Sequence, residues 1–131
     1  MSYKFKEIWC NKGNFTESNR KSSEIDTLVI HYTGNNGDTA ENNGNYFKNN
    51  VVETSAHYFV DDTTVVRSVA DKNIAWHAGD WDINCRSIGI EIAGSTTECT
   101  GKTLENVILL AQRLMKKYNI KKDKVIPVSY T

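Results

Sequence analysis

Thr27-Leu28-Val29-Ile30-His31-Tyr32-Thr33-Gly34 is the stretch whose reading decides the fold. Leu28, Val29 and Ile30 follow one another with no polar residue between them, the pattern of a strand covered on both faces. Gly34-Asn35-Asn36-Gly37 then supplies turn chemistry, and the strand is expected to stop there. A histidine at the carboxyl end of a central strand stands at a sheet rim, where α/β proteins place their sites. Taken alone, the stretch favours the plainer alternative, a core histidine bonded to a backbone carbonyl.

Composition sets the outer limits. A chain of 131 residues is large enough for one domain with a real core. The formal net charge is zero and no basic block occurs, which argues against a nucleic-acid or anionic-membrane partner. No apolar run approaches the roughly 20 residues of a membrane span. Met1-Ser2-Tyr3-Lys4-Phe5-Lys6-Glu7 lacks the apolar stretch of a signal peptide, so synthesis in the cytoplasm is expected. Cys10, Cys85 and Cys99 are an odd, widely spaced set that suits neither a disulfide framework nor a paired metal motif. A reducing compartment of synthesis follows.

Outward from the central strand, residues 1–10 form an edge strand or packing arm around Phe5, Ile8 and Trp9, and Asn11 to Glu24 reads as a loop. Thr39 to Asn50 has helical character, with Thr39 as N-cap and Tyr46 and Phe47 on one face, although Gly44 and several Asn weaken it. Ser55 to Val60 and Thr64 to Val69 read as strands joined by the hairpin loop Asp61-Asp62-Thr63. A loop then carries Ala75-Trp76-His77-Ala78-Gly79-Asp80-Trp81, and Ser87 to Gly94 is a fourth strand. Thr103 to Tyr118 is the clearest helix, with Thr103 as cap. Its apolar stripe runs through Leu104, Val107, Ile108, Ala111, Leu114, Met115 and Tyr118. A last strand begins at Asp123. The expected architecture is α/β, a mixed central sheet flanked by helices.

Glu91 interrupts the apolar run of the fourth strand, which is either an outward-facing position or a placed carboxylate. One histidine and one glutamate on strand ends could serve as metal ligand and general base. Residue pattern and spacing reach no further than that.

Leu28-Val29-Ile30-His31-Tyr32-Thr33, Ser55-Ala56-His57-Tyr58-Phe59-Val60, Ala75-Trp76-His77-Ala78-Gly79 and Ser87-Ile88-Gly89-Ile90-Glu91 occur in the order found in one family. Over about residues 25 to 126 the chain resembles the zinc-dependent N-acetylmuramoyl-L-alanine amidases of the type-2 family, among them phage endolysins, bacterial recycling amidases and peptidoglycan recognition proteins. The resemblance implies a peptidoglycan hydrolase that cuts the amide between N-acetylmuramic acid and L-alanine, acting on the bacterial cell wall. It implies that His31 is a zinc ligand, that Glu91 is the catalytic acid/base, and that His57, Trp76 and His77 line the substrate groove. The Asn- and Lys-rich composition resembles a phage or prophage lysin of a Gram-positive host. Family members carry a second histidine after the last strand, and a cysteine or aspartate beyond it. Here Pro127-Val128-Ser129-Tyr130-Thr131 follows, and no histidine lies after His77. The expectation is therefore a single amidase-like catalytic domain over residues 1–131, lacking the C-terminal part of the family domain and any cell-wall-binding domain. An incomplete zinc site leaves a second function open, a muropeptide-binding module without cleavage.

Overall fold

The computed structural model describes residues 3–95 and 98–127. Six strands form one mixed sheet: β1 (Lys4–Glu7), β3 (Thr27–Asn36), β4 (Tyr58–Val60), β5 (Thr64–Arg67), β7 (Ser87–Gly94) and β8 (Val125–Pro127), in the order β1-β5-β4-β7-β3-β8. Only the β4–β5 hairpin is antiparallel; every other neighbouring pair is parallel. Two more strands, β2 (Phe15–Thr16) and β6 (Ile74–Ala75), make a separate antiparallel pair. Among the described residues there are three α-helices: α1 (Ala40–Asn49), α2 (Trp81–Arg86) and α3 (Gly101–Tyr118). The α/β class and the mixed sheet agree with the sequence.

Alternation along the strands gives the sheet two different faces. Leu28, Val60, Ile88 and Ile90 point to the side covered by α3, where they pack with Val107, Leu110 and Leu114. Each such aliphatic side chain contributes roughly 1.5–3 kcal/mol by leaving water. Phe59 and Val66 point to the opposite side and pack with Ala40, Ala56 and Phe47. His31 and Glu91, odd-numbered neighbours of Ile30 and Ile90, therefore share the α1 side. Two faces divide the work: α3 seals one, and α1 leaves part of the other open.

Several elements differ from their sequence readings for identifiable reasons. β3 continues to Asn36 rather than stopping at Gly34, because Gly34 takes φ +85° and a register shift lets Asn36 pair again with Gly94. Ser55 to His57 does not belong to β4. The Ser55 N–H donates to the Trp76 carbonyl at 2.8 Å and the His57 N–H to the Gly89 carbonyl at 3.0 Å, so this segment is stitched to two different partners. α2 lies where a plain loop was expected, capped by Asp80, whose carboxylate accepts from the Ile83 N–H.

α3 begins two residues before Thr103, with Thr100 at its cap. Its buried line is rotated from the expected stripe. Leu104 and Ile108 are exposed, while Asn106 is buried and donates to the Asp61 carbonyl at 2.9 Å. α1 matches its reading: Thr39 Oγ1 accepts from the Asn42 N–H, and the Asn42 side chain accepts from the Thr39 N–H. Tyr46 and Phe47 part company, since successive helical residues point about 100° apart. Phe47 stacks on Phe59 at 5.3 Å while Tyr46 stays 52% exposed. Gly44 is explained by contact, because a Cβ there would sit 2.9 Å from Val66. Asp123 and Lys124 form a turn before β8, and residues 128–131 of the expected tail lie outside the described residues.

Candidate active site

β3 and β7 lie side by side in parallel register, and His31 is the direct partner of Glu91. On the other flank of β7, Phe59 of β4 is paired with Glu91. The carboxyl group thus stands between an imidazole and a phenyl ring on the α1 side of the sheet. It makes no hydrogen bond among the described residues. Burial pushes its pKa up to about 8, and the nearby Asp38 carboxylate adds to the shift. A group so poised can both hold and release a proton near neutral pH.

Glu91 opens onto a cavity of about 520 Å³ whose walls include Tyr32, Asp38, Asn43, Tyr46 and Phe47. Asp38 is held in place by three donors: the Thr33 hydroxyl at 2.9 Å, the Asn43 amide at 2.7 Å and the Gly94 N–H at 2.6 Å. It ties the end of β3, the start of α1 and the end of β7 together around the carboxyl group. Sequence reasoning missed Asp38, Asn43 and Tyr46. The only local signal was an aspartate next to a helix cap, whereas its decisive partner Gly94 lies far along the chain.

His31 is 3% exposed, and its Nε2 lies 3.0 Å from Nδ1 of His77. The His77 Nε2 is in turn 2.9 Å from the Ser87 hydroxyl. The relay is consistent with a proton on either side of the imidazole pair, because the serine hydroxyl can donate or accept. Burial lowers the pKa of His31 to about 4 and that of His77 to about 2, so both rings are neutral at pH 7. A neutral ring is the form that binds a metal. His77 reaches this place because Gly89 has no side chain: a Cβ there would meet the imidazole at 2.7 Å.

His57 is not in the groove that the family resemblance implied. It is 0% exposed, and both its nitrogens are engaged with the backbone. The Gly89 N–H donates to Nδ1 at 3.0 Å, which puts the proton on Nε2, and Nε2 donates to the Asn73 carbonyl at 2.8 Å. Arg20, 8% exposed, packs beside it and donates to the Ser87 and Asp71 carbonyls. His57 is a structural tie between β4, β7 and the 68–73 loop. Nor does His77 line the Glu91 cavity; it supports His31 from behind Gly89. Trp76 is half-buried, with its indole N–H donated to the Thr16 hydroxyl at 2.8 Å. It lines a second, shallower depression with Trp81.

A catalytic zinc centre takes three protein ligands and keeps an open position. Among the described residues, no group of three histidine, cysteine, aspartate or glutamate side chains could hold a metal ion. Cys85 and Cys99 belong to no such group. The described part of the site therefore does not fit a complete zinc centre, and His31 is the one expected donor that stands in place.

The fold and this arrangement define an α/β domain with a desolvated carboxyl beside two histidines in contact, one buried and one half-buried. Residues 21–128 match the sequence profile described as N-acetylmuramoyl-L-alanine amidase, and the chain belongs to that family. The family is generally zinc-dependent. The chain is 35% identical over 107 residues to the N-acetylmuramoyl-L-alanine amidase XlyA of Bacillus subtilis (strain 168), covering 79% of this chain and 36% of XlyA. It is 32% identical over 105 residues to CwlH of the same strain, covering 76% of this chain and 42% of CwlH. The chain thus spans well under half the length of these relatives. The catalytic domain of XlyA superposes with a TM-score of 0.82 at 28% identity, over 95% of this chain and 83% of that one. The structure of PlyL superposes with a TM-score of 0.80 at 26% identity, over 95% and 80%. Among the described residues, no helix is long and apolar enough to cross a membrane.

Proposed function

We propose that this chain is the catalytic unit of a peptidoglycan amidase that hydrolyses the bond between N-acetylmuramic acid and L-alanine, in the manner of an endolysin acting on the cell wall. The observation that carries the proposal is Glu91: a carboxyl with no hydrogen bond among the described residues, desolvated on the wall of an open cavity and register-paired with His31. In hydrolysis, water adds to the amide carbonyl, the C–N bond breaks, and the products are a lactyl carboxylate and the free amine of L-alanine. Glu91 takes the proton that the attacking water gives up and returns it to the departing nitrogen. Burial, with the Asp38 carboxylate adding to it, keeps the carboxyl's pKa high, which favours its acting as donor in the second half of the reaction. His31 would supply one imidazole to the family's metal, and His77 holds the His31 ring through the Nε2–Nδ1 contact. Tyr46, exposed on the cavity wall, offers a phenol to the substrate beside the acid/base.

The test is release of new L-alanine amino termini from purified peptidoglycan in zinc-supplemented buffer. Glu91→Gln is expected to lower the rate by about 10²–10⁴-fold. A variant as active as the parent removes Glu91 from the chemistry. A parent chain that releases no L-alanine termini overturns the amidase reading itself.

A further inference from the structure

Asn14 is 0% exposed, and its side chain makes every hydrogen bond that an amide can make. Its Nδ2 donates to the Phe47 carbonyl at 3.0 Å and to the Asn50 carbonyl at 2.8 Å. Its Oδ1 accepts from the Val52 N–H at 2.7 Å and from the Glu53 N–H at 3.0 Å. All four partners belong to one stretch, the last turn of α1 and the loop that follows it.

That stretch walls the Glu91 cavity. Phe47 and Thr54, at the two ends of the segment Asn14 holds, both line it. The Phe47 ring stacks on Phe59 at 5.3 Å, and Phe59 is the register partner of Glu91. A helix end leaves carbonyls without intrahelical partners, and here distant residues supply them. The Asn11 N–H also donates to the Phe47 carbonyl, at 3.0 Å. Asn11 caps the short helical turn Lys12–Asn14, its side chain accepting from the Gly13 N–H at 2.9 Å. Gly13 lets this turn lie against the loop, since a Cβ there would meet the Val51 side chain at 2.9 Å. The turn precedes residues 21–128, so the family match assigns it nothing. His31 and Glu91, by contrast, are placed by the register of β3 on β7 and owe nothing to Asn14.

We infer that Asn14 is a positioning residue for the amidase reaction, fixing the wall of the Glu91 cavity from Phe47 to Thr54 without touching the substrate. The sheet sets the acid/base, and a turn outside the family match sets the shape of the space in front of it. A loosened wall weakens the hold on bound substrate and leaves the chemistry at Glu91 as it was. KM then rises while kcat holds, the pattern of lost binding that is shared by ground and transition states. A role confined to stability has a different signature: partial unfolding removes active molecules, so apparent kcat falls at unchanged KM. The inference rests on the amidase reading for the reaction that Asn14 serves.

The decisive variant is Asn14→Asp, which keeps the shape and the acceptor oxygen but removes both N–H donors to the α1 carbonyls. Turnover of a soluble N-acetylmuramyl-L-alanyl peptide is followed in zinc-supplemented buffer, at a temperature where circular dichroism shows each protein folded. KM should rise about tenfold, the factor that two lost hydrogen bonds amount to, with kcat within about twofold of the parent. In NMR spectra of the same samples, cross-peaks between the Phe47 and Phe59 rings should weaken. Val107→Ala, a core truncation on the α3 side, controls for lost stability and should leave KM unchanged. If Asn14→Asp does not fold, Asn11→Ala takes its place; it removes only the cap of the turn and should raise KM about threefold. An unchanged KM, ring cross-peaks as strong as the parent's, or an equal rise of KM in Val107→Ala overturns the inference. Failure of the amidase reading shows separately, as a parent chain that turns over no peptide, while the ring cross-peaks still report whether Asn14 holds the wall.

Discussion

The imidazole of His77 rests against the bare backbone of Gly89: a Cβ at position 89 would lie 2.7–2.8 Å from three atoms of the ring. Contact this close is available only to glycine, and it lets His77 pass across β7 to meet His31. Gly89→Ala should therefore displace the ring and cost about 1–3 kcal/mol through overpacking. Chemical denaturation reads the stability. NMR of the imidazoles should show the His31–His77 contact broken. A variant of parental stability with that contact intact would mean that the ring can shift at no cost.

Titration of four groups, the buried His31 and His57 and the half-buried His77 and Glu91, shapes the response to pH. His31 and His57 have folded pKa values of about 4 and His77 of about 2, all below the ordinary value of 6.5. Between pH 4.5 and 6.5 the unfolded chain binds these three protons and the native chain does not, so stability rises with pH. Glu91 acts in the opposite sense, because its native pKa of about 8 lies above the unfolded value of 4.5. It holds a proton that the unfolded chain has lost, and over pH 6.5–8 it acts alone. Stability should peak near pH 6.5 and then fall as the pH rises toward 8. Melting temperatures from pH 4 to 8 measure the curve, and a flat profile above pH 6.5 would contradict the burial of a protonated Glu91.

Glu91→Gln should do two things at once. Beyond the loss of activity, it removes an ionisable group from a desolvated position and should stabilise the fold at pH 8 by up to a few kcal/mol. The alkaline decline in melting temperature should disappear in the same variant. Destabilisation at pH 8 would show instead that the ionised carboxylate is a favoured partner in the native state.

Zinc should be held weakly. His31 is one imidazole, and among the described residues no set of three donors surrounds it. Complete structural zinc sites contribute roughly 10–16 kcal/mol of binding, and most of that needs the full ligand set. After dialysis against a weak chelator, elemental analysis should find far less than one zinc per chain. A stoichiometry near one would require donors gathered from elsewhere.

Trp76→Ala should weaken peptide binding while lowering stability by about 1–2 kcal/mol, less than the roughly 3–5 kcal/mol of a buried aromatic truncation. The ring is only half-buried and holds one hydrogen bond, to Thr16. A loss in the upper range with binding unchanged would assign the residue to packing.

Much of the fold was legible because it rests on local chemistry. Leu28-Val29-Ile30, the β4–β5 hairpin at Asp61, the capped α1 and the run Ser87 to Gly94 are each set by short-range patterns of apolar spacing and turn residues. Asp61 shows how local the hairpin is, since its carboxylate accepts from the N–H groups of Thr63 and Thr64. The ordered motifs around His31, His77 and Glu91 were equally visible, and with them the family. The short strands β2 and β6 were not, because two-residue pairings have no period to detect.

What the sequence determined by itself was the kind of residue at each place: a histidine ending a strand, an acid inside an apolar run, glycines where a side chain would not fit. Tertiary structure decided what those residues do. Parallel register set Glu91 beside His31, and desolvation with Asp38 nearby moved its pKa. Two histidines of like appearance parted company. His57 was taken into the core by the Gly89 N–H and the Asn73 carbonyl, while His77 crossed Gly89 to His31. The face a residue ends on depends on strand neighbours far along the chain, and burial, which sets charge state, exists only once those neighbours have met.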